Sequence, residues 1–365
     1  MNPVARLIVR APNWLGDAVM ALPALEAVRR AYADATLILA ARASVAPLFD
    51  EDTPARPDEI VVVDDGTESA RMRDAKADAI LLLPNSFASA WRASRAGVPD
   101  RWGYRAGGRT WLLTRGVPRP RGRVHQIEYY RSLVRGLGIE AEPPPDSGSG
   151  SSGAQGERDG GGEAGRRANA LPRIAARPQT LAKADALLRE RGAPEGARLV
   201  GFAPGAAYGH AKQWPPDRVA AVIAGLRARG VTAVLVGAAG DRDAARAIES
   251  ALPAGTPVVD LVGRTTLRQL VGVVARCAAF VSNDSGAMHV AAALGVPLTA
   301  IFGPTDERVT SPGGRAGATD VIVRDVFCRP CLLRECPIDH RCMKRIDTDT
   351  VLTSVTRQLA QSPDA

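Results

Sequence analysis

Four short groups of residues in this 365-residue chain hold side chains that could do chemistry. Asn283-Asp284-Ser285-Gly286 follows the apolar run Ala278-Ala-Phe-Val-Ser282 and precedes a helical pattern at Ala287 to Gly295. A strand, a short turn and a helix leave unpaired backbone N–H groups at the positive end of a helix dipole, which suits a phosphate. The same turn also serves as an ordinary N-cap. The second group runs from Pro204-Gly205 to Lys212-Gln-Trp214-Pro-Pro216. Here small residues and a lysine stand between a strand and a proline-started helix, and the lysine offers a point charge on a flexible stem. In the third, Asn13-Trp14-Leu15-Gly16-Asp17 puts a carboxylate at a strand-to-helix turn. A helix N-terminus favours the ionised form, so Asp17 is expected as a carboxylate that either caps the helix or accepts a proton as a general base. The fourth is Cys328-Arg-Pro-Cys331, with Cys336, His340 and Cys342 close behind. That spacing fits zinc, reduced structural thiols or a local disulfide.

The elements that must position these groups alternate. Strand patterns at residues 7–10, 36–40, 59–63 and 79–83 are separated by helical or loop segments, including a helix over 18–31 kinked at Pro23. After a Pro-, Gly- and Ser-rich stretch at 143–170, expected to be flexible, the alternation restarts. It gives a helix at 180–191, a strand at 198–203, a helix at 216–229, a strand at 232–236 and a helix at 241–252. The last strand patterns, ending at Ser282 and Phe302, both run into small or polar loops. Ligands of open parallel sheets sit beyond the carboxyl ends of strands, so these two loops are expected to line one crevice. The expected fold is α/β, with two doubly wound Rossmann-like units: residues 1–142, then 143–170 as linker, 171–345, and a helix and tail at 346–365.

Composition narrows the function only partly. The formal net charge is +8, which suggests an anionic partner, but of 47 basic residues only four are Lys, a skew that looks like coding bias. The charged, short apolar run at the N-terminus does not read as a signal peptide, and no stretch reaches the length of a membrane span, so a cytoplasmic protein is expected. The Lys212 loop lacks the Gly-Lys-Ser/Thr ending of a P-loop. Three Asp-x-Asp triplets, at 50–52, 241–243 and 347–349, are common by chance and are assigned no metal.

Taken together, Gly16-Asp17 with Pro23-Ala-Leu25, Pro204-Gly205 with Lys212-Gln-Trp-Pro215, Asp260-Leu-Val-Gly-Arg264-Thr265, and Asn283-Asp-Ser-Gly-Ala-Met-His289 with Phe302-Gly-Pro-Thr305 resemble the ADP-heptose:lipopolysaccharide heptosyltransferases. The resemblance spans residues 7–355 apart from 143–170, and the Cys328–Cys342 segment looks most like the heptosyltransferase II branch. It implies a GT-B architecture and an inverting, metal-independent transfer from ADP-heptose to the lipopolysaccharide inner core, the second heptose in this branch, with no cofactor. It places the acceptor on the first unit and the donor on the second. By position, Asp17 matches the family's proposed base and Lys212 the residue at the donor phosphates. Asp284, Ser285 and Gly286 match the diphosphate and sugar loop, His289 lies in the same motif, and Gly205 and Gly237 belong to loops near the donor.

On the acceptor side, Asn13 and Trp14 join a basic, aromatic strip. Between Trp91 and Arg123 stand nine arginines, three of the five tryptophans and one acid, Asp100. Arg101, Arg105 and Arg109 within it are expected to meet the anionic acceptor or the inner leaflet of the inner membrane, where the enzyme would sit peripherally. Three other readings stay open: a different GT-B transferase, a nucleotide-sugar epimerase of similar fold, or a basic nucleic-acid-binding protein using the Trp/Arg strip. No nucleic-acid-binding signature supports the last.

Overall fold

The computed structural model describes residues 4–139, 171–207, 209–314 and 317–361. The stretch at 143–170 lies outside the described residues. Among the described residues twelve strands form two sheets. The first contains β1 (Arg6–Arg10), β2 (Thr36–Ala41), β3 (Glu59–Val62), β4 (Ala79–Leu82), β5 (Asp100–Tyr104) and β6 (Arg115–Val117). The second contains β7 (Arg198–Ala203), β8 (Val231–Leu235), β9 (Val258–Asp260), β10 (Ala279–Asn283), β11 (Leu298–Ile301) and β12 (Thr319–Ile322). Every pairing is parallel. Central strands such as Ala-Ile-Leu-Leu in β4 and Leu-Thr-Ala-Ile in β11 are buried along their whole length, because helices cover both sheet faces.

In the first half, α1 (Leu15–Met20), α2 (Leu22–Ala31), α3 (Glu68–Asp74), α4 (Phe87–Arg95) and α5 (Gln126–Gly136) do this covering. The second half has α6 (Pro178–Glu190), α7 (Pro216–Arg227), α8 (Arg242–Ala251), α9 (Leu267–Ala275), α10 (Gly286–Ala293), α11 (Glu307–Thr310), α12 (Arg341–Lys344) and α13 (Thr348–Gln361). The helix expected over 18–31 is two helices meeting at Ala21, with Pro23 in the first turn of α2, where its missing N–H costs no helical bond. Helix α10 stops at Gly295, whose φ of +76° closes a Schellman turn: Val296 N donates to Ala291 O and Gly295 N to Ala292 O. At Gly201 on β7 a Cβ would lie 2.4 Å from the Phe280 ring, so glycine lets β10 place that ring across its neighbour.

The order in the first sheet is β3-β2-β1-β4-β5-β6, and in the second β12-β11-β10-β7-β8-β9. Counted from the first strand of each sheet these are the same order, the doubly wound nucleotide-binding one. Strand order reverses between β1 and β4 and between β7 and β10. Each reversal splays the following loops apart and opens a crevice at the strands' carboxyl ends. The halves share apolar packing: Val271 of α9 and Val290 and Ala293 of α10 belong to the cluster formed by β1, β2, α2 and α5. No helix among the described residues is long and apolar enough to cross a membrane.

Beneath the β1–α1 loop, Arg10 and Glu68 form a buried pair at 2.6 Å, and Arg10 Nη2 donates to Asn13 Oδ1 at 2.8 Å. Removing one partner strands a buried charge. Glu68→Gln should therefore lower unfolding free energy by about 3 kcal/mol in urea titrations, and Arg10→Met/Glu68→Leu should recover most of that loss.

Candidate functional site

The switch point of each sheet delivers one half of the site. After β1 the chain turns directly into α1, placing Asp17 in its first turn. The N-cap position is Trp14, and no side chain caps this helix, so Asp17 does not serve as the cap. Its carboxylate is largely buried and accepts a hydrogen bond from Tyr130 of α5. Burial raises its pKa above the usual 3.8, against the lowering effect of the tyrosine. Desolvation thus outweighs the tyrosine, and the pKa moves opposite to the downward pull expected from a helix N-terminus. Tyr130 is itself buried, bonded to Gln126, and its hydroxyl pKa is pushed well above 10 by burial and by Asp17.

The second half comes from β10, whose last residue, Asn283, is 2 % exposed. Its amide holds two other segments: Nδ2 donates to Pro204 O at 2.5 Å, and Oδ1 accepts from Trp214 N at 3.2 Å. Trp214 Nε1 in turn donates to Ile346 O at 3.1 Å. The Lys212 loop is thereby tied at both ends to the strand carrying Asp284. Lys212 Nζ meets Asp284 Oδ2 at 2.6 Å, with both side chains mostly buried. Ser285 occupies the N-cap of α10, yet its hydroxyl turns back to Ser282 Oγ at 3.0 Å. The N-terminal amides of α10 thus carry no side-chain cap, as an anion site at a helix N-terminus requires.

The two halves touch. A Cβ on Gly16 would lie 2.8 Å from His289 Cδ2, and one on Gly286 would lie 3.0 Å from Leu15 Cβ. Helices α1 and α10 therefore meet end to end through two glycines, with Asp17 one residue from one contact and Asp284 two residues from the other. His289 is buried, and desolvation lowers its pKa to about 4 despite Asp284 nearby, so at neutral pH it is uncharged. It packs beneath α1 and brings no cationic charge to the crevice. Farther along the seam, Arg123 Nη1 meets Asp306 Oδ2 at 3.0 Å, and His125 Nε2 lies 2.9 Å from Ser311 O.

Gly205 and Gly237 both accommodate Asp241: a Cβ on Gly205 would fall 2.0 Å from its Cγ, and one on Gly237 2.9 Å from its Oδ2. Asp241 Oδ2 accepts from Ala238 N at 2.8 Å. The glycines thus make room for a carboxylate in the loop after β8.

The acceptor side differs from expectation. Arg101 stands at the start of β5, the end of the sheet opposite the crevice, and its guanidinium donates to Leu112 O and Val98 O at 2.7 Å and Pro99 O at 3.0 Å. Arg109 is fully buried and bonds Tyr104 O, Pro84 O, Ser89 Oγ and Asn85 Oδ1. Burial without a carboxylate partner lowers its pKa to about 10. Neither is presented to an acceptor; Arg109 instead shapes the β4–α4 loop beside the β1–α1 loop. Trp102 is core. Arg105 and Trp14 remain exposed, and Asn13 projects from the loop held by Arg10. The residues missed from the sequence are Tyr130 and Asn85; Asn85 Nδ2 donates to Tyr129 Oη at 2.8 Å. Asn283 stands in the turn singled out from the sequence, and its tie to Pro204 and Trp214 is visible only in the fold.

The cysteines at 328, 331, 336 and 342 are all free thiols. Among the described residues no group of three or more His, Cys, Asp or Glu is placed to hold a metal ion. The segment they belong to braces the donor loop: Ala211 N donates to Arg334 O at 2.9 Å, His340 Nε2 lies 2.6 Å from Ala211 O, and Leu332 N donates to Pro304 O at 2.9 Å.

Comparison with known proteins agrees with this architecture. Lipopolysaccharide heptosyltransferase 2 of Salmonella typhimurium is 29% identical over 322 residues, covering 84% of this chain and 85% of that protein. The structure of Escherichia coli ADP-heptose lipopolysaccharide heptosyltransferase II superposes with a TM-score of 0.76 at 27% identity, over 98% of this chain and 99% of that one. Escherichia coli heptosyltransferase WaaC, solved with ADP, shares the fold at a TM-score of 0.65 and 18% identity, over 97% and 99% of the two chains. The two sheets are the paired Rossmann-like halves of a GT-B enzyme. The model of glycosyltransferase family 9 (heptosyltransferase) matches residues 69–341, and this chain belongs to that family of glycosyl-transferring enzymes.

Proposed function

We propose that this enzyme transfers heptose from ADP-heptose to the lipopolysaccharide inner core, adding the second heptose. The observation that carries the reading is the end-to-end meeting of α1 and α10, which sets a half-buried carboxylate with a raised pKa across the crevice from an uncapped helix N-terminus whose Asp284 holds a lysine. The relatives named heptosyltransferase 2 support the choice of acceptor.

The chemistry follows from these groups. An acceptor hydroxyl attacks the anomeric carbon of the donor as Asp17 takes its proton, and the bond from that carbon to the β-phosphate oxygen breaks. The electron pair leaves on ADP, where Lys212 and the α10 amides stabilise the diphosphate. Asp284 holds Lys212 in place and orients it, while neutral His289 fixes the spacing between the two helices. Attack opposite the leaving group inverts the anomeric configuration. Fixed positive groups do the work of a divalent ion, so no cofactor enters the scheme. Because the acceptor is lipid-anchored, the enzyme works at a membrane surface.

A transfer assay with ADP-heptose and acceptors bearing zero, one or two heptoses should show preference for the one-heptose acceptor. Asp17→Asn should reduce kcat by about 10²–10⁴-fold with ADP affinity intact; wild-type turnover in that variant removes the assignment of the base.

Tyr130 sets the pH dependence. Asp17 acts deprotonated, so kcat/KM rises with pH through its pKa, which lies above 3.8. The tyrosine bond lowers that pKa, so Tyr130→Phe should move the acid limb to higher pH while sparing the plateau more than Asp17→Asn does. A merely structural role would leave the limb where it is.

Lys212→Ala should weaken ADP binding in calorimetry by on the order of ten- to a hundredfold, the range of a charge-assisted hydrogen bond. Chelators should leave the wild-type rate unchanged; a chelator-sensitive rate contradicts the metal-free scheme.

A further inference from the structure

Three aromatic side chains stand in solvent together on the first half. Phe87 and Trp91, one turn apart on α4, are each 44% exposed and stack at 6.3 Å with an interplanar angle of 15°. Trp111 is 68% exposed and lies 6.1 Å from Phe87. The loop that brings Trp111 there closes against the start of α4: a Cβ on Gly107 would lie 3.0 Å from Asn85 O. Two exposed arginines belong to the same segments. Arg95 continues the face of α4 at i+4 from Trp91, and Arg105 begins the loop after β5. Single exposed aromatics are ordinary, but a contiguous cluster of three is not.

Position gives the patch its meaning. Phe87 and Arg105 follow the carboxyl ends of β4 and β5, and β4 is the neighbour of β1, whose loop leads to Asp17. The patch therefore starts at the crevice end of the sheet, on its acceptor half, and runs back along α4 through Trp91 to Arg95. Its aromatic content suits the boundary between headgroups and acyl chains, where Trp rings concentrate. Arginines beside it suit anionic headgroups.

We infer that Phe87, Trp91 and Trp111, with Arg95 and Arg105, dock this enzyme onto an anionic bilayer surface and turn the acceptor half of the crevice toward it. The choice of a lipid surface as partner rests on the lipid-anchored acceptor proposed above, but binding is read without any transfer reaction.

The test is co-sedimentation of the full chain with vesicles of phosphatidylcholine alone or mixed with phosphatidylglycerol, alongside tryptophan fluorescence. Wild type should prefer the anionic vesicles, with a blue shift that falls as salt is added. Trp91→Ser/Trp111→Ser should weaken that binding by about tenfold, and Arg95→Glu/Arg105→Glu by on the order of thirtyfold. ADP affinity should be unchanged in both variants, which shows that they fold. Equal binding to neutral and anionic vesicles, or variants that bind like wild type, overturns the inference. So does concentration-dependent self-association abolished by the tryptophan pair, since the patch is then an interface between copies. Vesicle binding without consumption of ADP-heptose would count against the proposed reaction and leave the docking surface standing.

Discussion

Helices α1 and α10 approach so closely at their N-termini that a methyl group on Gly16 would clash with the His289 ring and one on Gly286 would press on Leu15. Everything proposed for the active site depends on this approach. Asp17 and Asp284 follow strands of different sheets, separated by more than 260 residues of chain, and the packing of Leu15 on Gly286 and His289 under Gly16 brings them toward one crevice. Apolar contacts between α9, α10 and the core of the first half hold the approach in place, so the catalytic geometry is a by-product of core burial. Two positive helix ends facing one crevice would repel, and the carboxylates of Asp17 and Asp284 offset them.

Burial then decides the charge state of each group. His289 is buried and stays neutral. Asp17 sits part-way, its pKa raised by desolvation and restrained by a tyrosine. Lys212 and Asp284 are buried as a pair, so the enzyme places a lysine at the donor loop without an uncompensated buried charge. Asn283 is the mechanical link: one amide ties the Pro204–Gly205 turn and Trp214 to β10, and the Cys-rich segment buttresses the same loop from outside through Ala211. From the sequence the cysteines fit zinc ligands, reduced structural thiols or a local disulfide. The fold uses their segment as a brace.

How much was legible depended on the range of the physics involved. Strand and helix identities came through because hydrophobic period and turn residues are local signals; β7 matches its expected span, and the misread junction at Ala21 concerned where a proline sits within a helix. The loops carrying Asp17, Lys212 and Asp284 were legible because small and polar residues at strand ends have few other uses. The arginine strip misled because composition says nothing of direction. Arg101 and Arg109 spend their guanidinium groups on backbone carbonyls, whereas Arg105, in the same run, faces solvent. Tyr130 gave no sign, since a tyrosine on an amphipathic helix reads as core until its partner is known.

The sequence by itself determined the α/β alternation, the two parallel units and the residue types at the strand ends, since each follows from neighbours within a few turns of chain. Tertiary structure decided which of those ends meet, which charges are paired and which way each arginine points. Distance in space, not in sequence, sets desolvation and Coulomb energy, so the pairing of Lys212 with Asp284 and the tuning of Asp17 by Tyr130 exist only once the two sheets have packed.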